Sequence, residues 1–217
     1  MSRKSKKTKA RFITLVLVLL FLLLVRFVSE IGVDQTPDSR FLVVKVIDGD
    51  TIELKGGDKL RLLSVDTPEK DQPYYERAKQ FVRRVALNQV AEIKFVDTRR
   101  DKYGRLLGYL IIDTMNVNQH LLDSGYANIY LFKDNELNSE ETRLLLDAQK
   151  RAIEKKLGIW SLEKNAEEFY LRSPGSFRLH RPGCRSLDME HIDRYQKFEN
   201  RLEAFKLGLS PCRNCQP

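Results

Sequence analysis

Between residues 41 and 112 the chain alternates short apolar runs with Gly- and Asp-rich turns, a pattern that predicts strands joined by tight connections. The run 41–47 is β-branched, and Asp48-Gly49-Asp50 follows it as a turn in which Gly49 is free to take a positive φ. A second strand over 51–54 leads to the hairpin signal Lys55-Gly56-Gly57-Asp58. The third strand, 59–65, places Leu60, Leu62 and Ser64 on one face and Arg61, Leu63 and Val65 on the other. An arginine on a strand face of Leu and Val is either an edge residue or aimed into a site. Pro68 ends this stretch and biases Thr67 away from helix.

The period then changes. Ala78, Phe81, Val82, Val85 and Ala86 recur at helical spacing and predict an amphipathic helix over 74–87. A strand over 90–96, a charged loop over 98–105 closed by Gly104, and a strand over 106–112 come next. A short helix over 116–124 is stopped by Gly125. Residues 126–132 read as a short strand or extended segment. A long helix starts near 138–141 and ends at Gly158, with Leu144, Leu145, Ala148, Ala152 and Ile153 as its buried stripe. Five strands with one helix after the third and two more at the end suit an α+β fold, a five-stranded Greek-key barrel of the OB type with flanking helices. The pattern predicts the number of strands, not the closure of the barrel.

Outside this domain two segments stand apart. The first begins with the uninterrupted apolar run FITLVLVLLFLLLV, Phe12 to Val25, and continues through Arg26, Phe27 and Val28. As a helix, 12–28 extends about 25 Å at ~1.5 Å per residue. That is short for a membrane span but sufficient with Arg26 snorkelling. The basic tail 1–11 before it predicts a cytoplasmic N-terminus, a single-pass anchor in the cytoplasmic membrane and an extracytoplasmic domain. A cleaved signal peptide and a secreted product, or a buried core helix, are the competing readings; 28–31 offers no small-x-small cleavage site. Residues 29–40, with Pro37, read as a linker. The net charge of +8 changes little once placed: Arg3, Lys4, Lys6, Lys7, Lys9 and Arg11 supply six of those charges, so basicity is a property of the tail and weak support for a nucleic-acid partner.

The second segment is 173–217, reached through a polar linker at 163–172. All three cysteines fall in it. His180-x3-Cys184 and Cys212-x2-Cys215 supply four ligands, enough to close a tetrahedral structural zinc site. So short a segment builds little core by itself, which favours a metal staple. A Cys212–Cys215 disulfide with Cys184 free is the alternative, and His191 competes with His180 as fourth ligand.

The chemistry concentrates in 44–69 and the loop 98–105. Asp50 and Asp66, with the carbonyl of Thr67, offer hard oxygen ligands suited to calcium or magnesium. Glu69 stands three residues beyond Asp66, placed to act as a base or to orient water. Arg61 and Arg105 arrive from separate segments and can clamp a phosphate. Taken singly these are ordinary turn aspartates and surface ion pairs; their coincidence points to phosphodiester hydrolysis, which needs a cation, a positioned water and donors for the phosphate oxygens.

The motifs IDGDT (47–51), RLLSVDTPE (61–69) and DKYGR (101–105), in this order, resemble the staphylococcal-type thermonuclease family. The likeness runs from about Val44 to Trp160. It implies an OB-fold, calcium-dependent nuclease acting on both DNA and RNA and leaving 3′-phosphates. It also implies calcium ligands at Asp50, Asp66 and Thr67, catalytic roles for Arg61, Glu69 and Arg105, and a supporting carboxylate at Asp48 behind the ligands. Lys102, Tyr103 and Tyr130 are the expected substrate contacts, with Phe132 where the family places a second tyrosine. Tyr75, Tyr109 and Tyr126 are further stacking candidates, and Lys70, Arg99 and Arg100 candidates for following the backbone. A catalytically silent nucleic-acid-capture module is the alternative. Residues HRPGCRS and EAFKLGLSPCRNCQP resemble the zinc modules related to the N-terminal domain of Ada-type repair methyltransferases. That likeness implies structural zinc and an added DNA-contacting surface bearing Arg178, Arg181, Arg185 and Arg213.

Overall fold

The computed structural model describes residues 20–21, 39–132 and 139–217. The chain divides into a unit of residues 1–38 and a compact unit of residues 39–217. The basic tail, the expected anchor at 12–28 apart from Leu20 and Phe21, and nearly all of the linker at 29–40 lie outside the described residues. Among the described residues no helix is long and apolar enough to cross a membrane.

In chain order the compact unit starts with β1 (Arg40–Val46), β2 (Thr51–Leu54), β3 (Lys59–Leu62) and the short β4 (Val65–Asp66). Helix α1 (Tyr75–Ala86) separates these from β5 (Val90–Arg100), β6 (Leu106–Ile112) and β7 (Met115–Asn116). Helix α2 (Val117–Asp123), β8 (Asn128–Ile129) and α3 (Glu140–Glu154) follow. The C-terminal part holds β9 (Tyr170–Arg172), β10 (Arg178–His180), β11 (Gln196–Phe198), α4 (Arg201–Lys206) and β12 (Ser210–Pro211).

The five main strands lie in the order β3-β2-β1-β5-β6, with the short β7 added beside β6. A parallel β3–β6 pairing, Leu60 opposite Leu106 and Leu62 opposite Gly108, closes them into a barrel. Closure abolishes the exposed edge that an open sheet leaves. Inside sit Val43, Ile52, Leu54, Leu60, Leu62, Ile93 and Leu110, all essentially without solvent contact; each such side chain contributes about 2 kcal/mol of burial. Helix α1 buries Ala78, Val82 and Ala86 against the barrel. Helix α3 buries Leu145, Ala148, Ala152 and Ile153, whereas Leu144, expected in that stripe, faces solvent.

Three local expectations change. The third strand does not run to 65: Ser64 takes φ 59°, breaking it into β3 and β4, and β4 pairs with β8 instead. The charged loop is shorter, since β5 continues to Arg100, opposite Leu106. Gly49 does not take a positive φ; it is required because a Cβ there meets Ala78 Cβ and Thr67 Oγ1 at 2.8 Å. Helix α1 thus packs directly on the Asp48–Asp50 turn.

The C-terminal strands form a four-stranded sheet in the order β11-β9-β10-β12. The segment expected as a linker at 163–172 therefore ends in a central strand, β9. This sheet shares a core with the barrel's last helix: Ala152, Ile153 and Trp160 pack with Tyr170, Leu179, Phe205 and Leu209. The Trp160 and Phe205 rings lie 5.6 Å apart. Buried Gln149 joins the two parts, accepting from the Ile129 amide at 2.7 Å and donating to the Phe205 carbonyl at 2.7 Å.

Candidate active site

The β2–β3 register sets Thr51 opposite Arg61, so the Asp48–Asp50 turn arrives beside the arginine. The Asp50 amide donates to Asp48 Oδ1 at 3.0 Å, which holds the turn. One oxygen of Asp50, Oδ2, accepts from the Thr67 amide at 2.9 Å and the Thr67 hydroxyl at 3.0 Å, and meets Arg61 Nη2 at 3.2 Å. Asp66 Oδ1 lies 3.1 Å from that same Nη2. Two carboxylates from different segments thus converge on a single cationic nitrogen. Arg61 Nη1 donates to the carbonyls of Leu62 and Val65, both at 2.7 Å, which ties down the chain around the positive-φ Ser64.

This concentration of buried charge moves the carboxyls. Burial pushes Asp66 above the ordinary carboxylate range, and the positive charges of Arg213 and Arg61 offset only part of that cost. Burial, with the charge of Asp50 added, raises Asp48 likewise. A group of acids held above their usual pKa is one that a hard cation relieves. The donor set of Asp50, Asp66 and Thr67 is all oxygen, so it fits calcium or magnesium rather than zinc.

Arg105 comes from the β5–β6 hairpin. Its Nε and Nη2 both meet Asp101 Oδ2 at 2.8 Å, and its amide donates to Asp101 Oδ1 at 3.0 Å. Asp101 therefore fixes the arginine from within the same hairpin, a role not assigned to it from the sequence although it opens the motif. The Tyr103 ring lies 5.5 Å from the Arg105 guanidinium and 5.0 Å from Lys102 Nζ. Glu69 is the exposed member of the set, 67% accessible at its side chain, with its amide donating to Gln72 Oε1 at 2.9 Å.

One cavity of about 540 Å³ collects Asp48, Asp50, Asp66, Thr67, Arg61, Glu69 and Arg105 together with Lys70, Tyr75, Tyr103 and Arg213. Tyr130 is not among its lining residues. Its ring is covered by Arg178, whose guanidinium carbon lies 3.5 Å from the ring centre, and flanked by Phe132. The stacking candidates divide similarly: Tyr109 is buried in the barrel and Tyr126 packs on Tyr74 and Phe81, so only Tyr75 and Tyr103 reach the cavity. Arg99 lies over Phe95 and Arg100 pairs with Asp58, both away from the cavity lining.

The residue that sequence reasoning did not place here is Arg213. It lies 147 positions beyond Asp66 in the chain, yet its Nη2 reaches Asp66 Oδ1 at 2.8 Å and Glu69 Oε1 at 3.6 Å. No spacing signal connects it to the barrel motifs; only its neighbours Cys212 and Cys215 mark it.

Those cysteines belong to a second cluster. The ligand atoms of His180, Cys184, Cys212 and Cys215 all lie within 4.8 Å of one another. The three cysteines are free thiols, and His180 Nδ1 is buried with no hydrogen-bond partner. Burial pushes the Cys215 thiol up to about 12 and lowers His180 below its ordinary value. His191 is outside the cluster, bonded to Asp188 at 2.8 Å.

A closed barrel carrying paired carboxylates and three arginines in one cleft has the equipment of a phosphodiester hydrolase. The chain belongs to the staphylococcal nuclease homologue family, whose model matches residues 59–162. It is 30% identical over 162 residues to a thermonuclease of Staphylococcus hyicus, covering 68% of this chain and 94% of that one. It is 36% identical over 130 residues to a thermonuclease of Staphylococcus intermedius, covering 55% of this chain and 75% of the relative. An uncharacterized endonuclease of Escherichia coli O157:H7 is 34% identical over 123 residues, with 55% and 75% covered.

Proposed function

We propose that the chain is a calcium-dependent nuclease that cleaves DNA and RNA without sequence preference. The observation that carries this reading is the single cavity in which Asp50, Asp66, Thr67, Arg61, Glu69 and Arg105 meet, although they come from separate segments. Asp50, Asp66 and the Thr67 carbonyl hold the cation, with Asp48 supporting the turn behind them. Calcium bound there supplies positive charge to the scissile phosphate and lowers the cost of charge building on its oxygens. Arg105, held rigid by Asp101, donates to the equatorial oxygens, and Arg61 keeps both carboxylates in place beside the phosphate. Glu69 orients the attacking water and takes its proton. Tyr103 lines the cavity where the nucleotide lies, and Lys102, outside that lining, lies over the Tyr103 ring at 5.0 Å.

The test is a calcium-titrated cleavage assay on plasmid and single-stranded DNA with wild type, Glu69→Ala and Arg105→Ala. Each variant is expected to lose about 10²–10³ in rate. Equal rates for all three overturn the site assignment, and binding without cleavage by wild type leaves a nucleic-acid-capture module.

The C-terminal part is a second unit of function, a structural zinc module of the Ada-related kind, held by His180, Cys184, Cys212 and Cys215. Four convergent ligands and an orphaned buried imidazole nitrogen support it. The apolar run 12–28 behind a basic tail supports an anchor in the cytoplasmic membrane with the nuclease outside; full-length protein released by carbonate extraction overturns that placement.

A further inference from the structure

Three arginines line the cavity, and they differ in how much of each is already engaged. Arg61 has both terminal nitrogens on protein acceptors, the carbonyls of Leu62 and Val65 and the carboxylates of Asp50 and Asp66. Arg105 has Nε and Nη2 on Asp101. Arg213 meets Asp66 and Glu69 through Nη2 alone, and its side chain is 60% accessible, the most open of the three. A guanidinium carries five N–H donors in a fixed fork, so Arg213 keeps most of its capacity for an incoming acceptor.

Its position is nevertheless defined. The chain turns tightly around it: the Gln216 amide donates to the Cys212 carbonyl at 2.9 Å, and the Asn214 amide to Cys212 Sγ at 3.4 Å. The base of the turn is the Cys/His cluster itself. The sheet that carries it is fastened to the barrel without Arg213, through Gln149, through the Trp160–Phe205 packing and through Arg178, whose Nη2 donates to the Leu131 carbonyl at 3.3 Å. Arg213 is therefore an exposed cation held at the mouth of the cavity by a scaffold that does not need it for docking. Both of its ion-pair partners are the acids that the proposed chemistry employs, and its guanidinium carbon lies 5.9 Å from the centre of the Tyr130 ring. Asp66 Oδ1 takes both arginine contacts, and Oδ2 takes part in neither, so cation binding at Asp66 and the presence of Arg213 are compatible.

We propose that Arg213 is a third active-site arginine, a phosphate-binding residue that the C-terminal module contributes to the barrel's cavity. This rests on the reading of that cavity as the nuclease site. Once a dication neutralises Asp66, the guanidinium is left as an unsaturated positive fork in the path of a nucleic-acid phosphate. The module is then a part of the substrate site as well as an appendage to the barrel.

The test uses the full chain in calcium with a labelled short single-stranded oligodeoxynucleotide. Binding is followed over a range of salt in a Glu69→Gln background, and KM and kcat in the otherwise wild-type chain. Losing one phosphate contact lowers the slope of log affinity against log salt by about 0.7. Arg213→Ala and Arg213→Gln are expected to show that drop, with KM raised about ten- to a hundredfold and kcat changed less. Arg213→Lys keeps the slope and recovers part of the affinity. Lys206→Ala, a charge-matched change on α4, leaves both unchanged. A wild-type slope and KM in Arg213→Ala, tighter binding by it, or an equal drop in Lys206→Ala overturns the proposal. If wild type binds but does not cleave, the nuclease reading falls, while the slope still decides the role of Arg213.

Discussion

Arg61 serves first as a brace. Four short contacts link it to the β3–β4 chain and to both proposed metal carboxylates. A lysine there supplies one charge but no fork, so Arg61→Lys is expected to destabilise the fold by about 1–3 kcal/mol and to weaken calcium binding, read from urea midpoints with and without calcium. Gly49 makes the same point sterically. Its added methyl in Gly49→Ala meets Ala78 and Thr67 at 2.8 Å, and displacing Thr67 removes the donors that hold Asp50. That variant is expected to lose about 1–3 kcal/mol and to bind calcium less tightly by calorimetry. The raised Asp66 and Asp48 set the pH dependence. A protonated Asp66 offers calcium no anionic oxygen, a protonated Asp48 removes negative charge from behind the ligands, and both stay protonated to higher pH than usual. Calcium affinity should therefore fall with acidification while ordinary carboxylates are still ionised, which calcium titrations across pH will read. Asp50, Asp66, Glu69, Arg61 and Arg105 were legible in the sequence because they sit in short motifs. The reason for Gly49 was not, because its constraint comes from helix α1, whose packing angle no local pattern contains.

At the level of elements, strand and helix periodicity located nearly every member of the barrel. The departures come where tertiary pairing competes with local preference: Ser64 adopts a positive φ so that β4 can leave the barrel and pair with β8. Leu144 is exposed although it lies at the edge of the apolar stripe of α3. Buried Gln149 on that helix stands where the stripe reads as polar interruption, and it is the hydrogen-bonded link between β8 and α4. Gln149→Leu keeps the volume but leaves the buried Ile129 N–H unpaired and cuts the link to the Phe205 carbonyl, which the Gly208 amide still meets at 3.0 Å. It is expected to cost about 1–3 kcal/mol in chemical denaturation, with the C-terminal sheet becoming protease-sensitive first.

For the whole molecule, the coupling of interest runs from the Cys/His cluster to the cleft. If the cluster's metal holds the turn that presents Arg213, Cys215→Ser should weaken oligonucleotide binding as Arg213→Ala does, and the double variant should be no worse than either. The amino-acid sequence by itself determined the five barrel strands, the motifs of the proposed catalytic set and the four candidate zinc ligands, since each is encoded in spacings a few residues long. Barrel closure, the burial that raises Asp66 and Asp48, and the arrival of Arg213 beside Asp66 were decided only by the tertiary structure. Each depends on which surfaces pack together across long stretches of chain, and local periodicity carries no information about that.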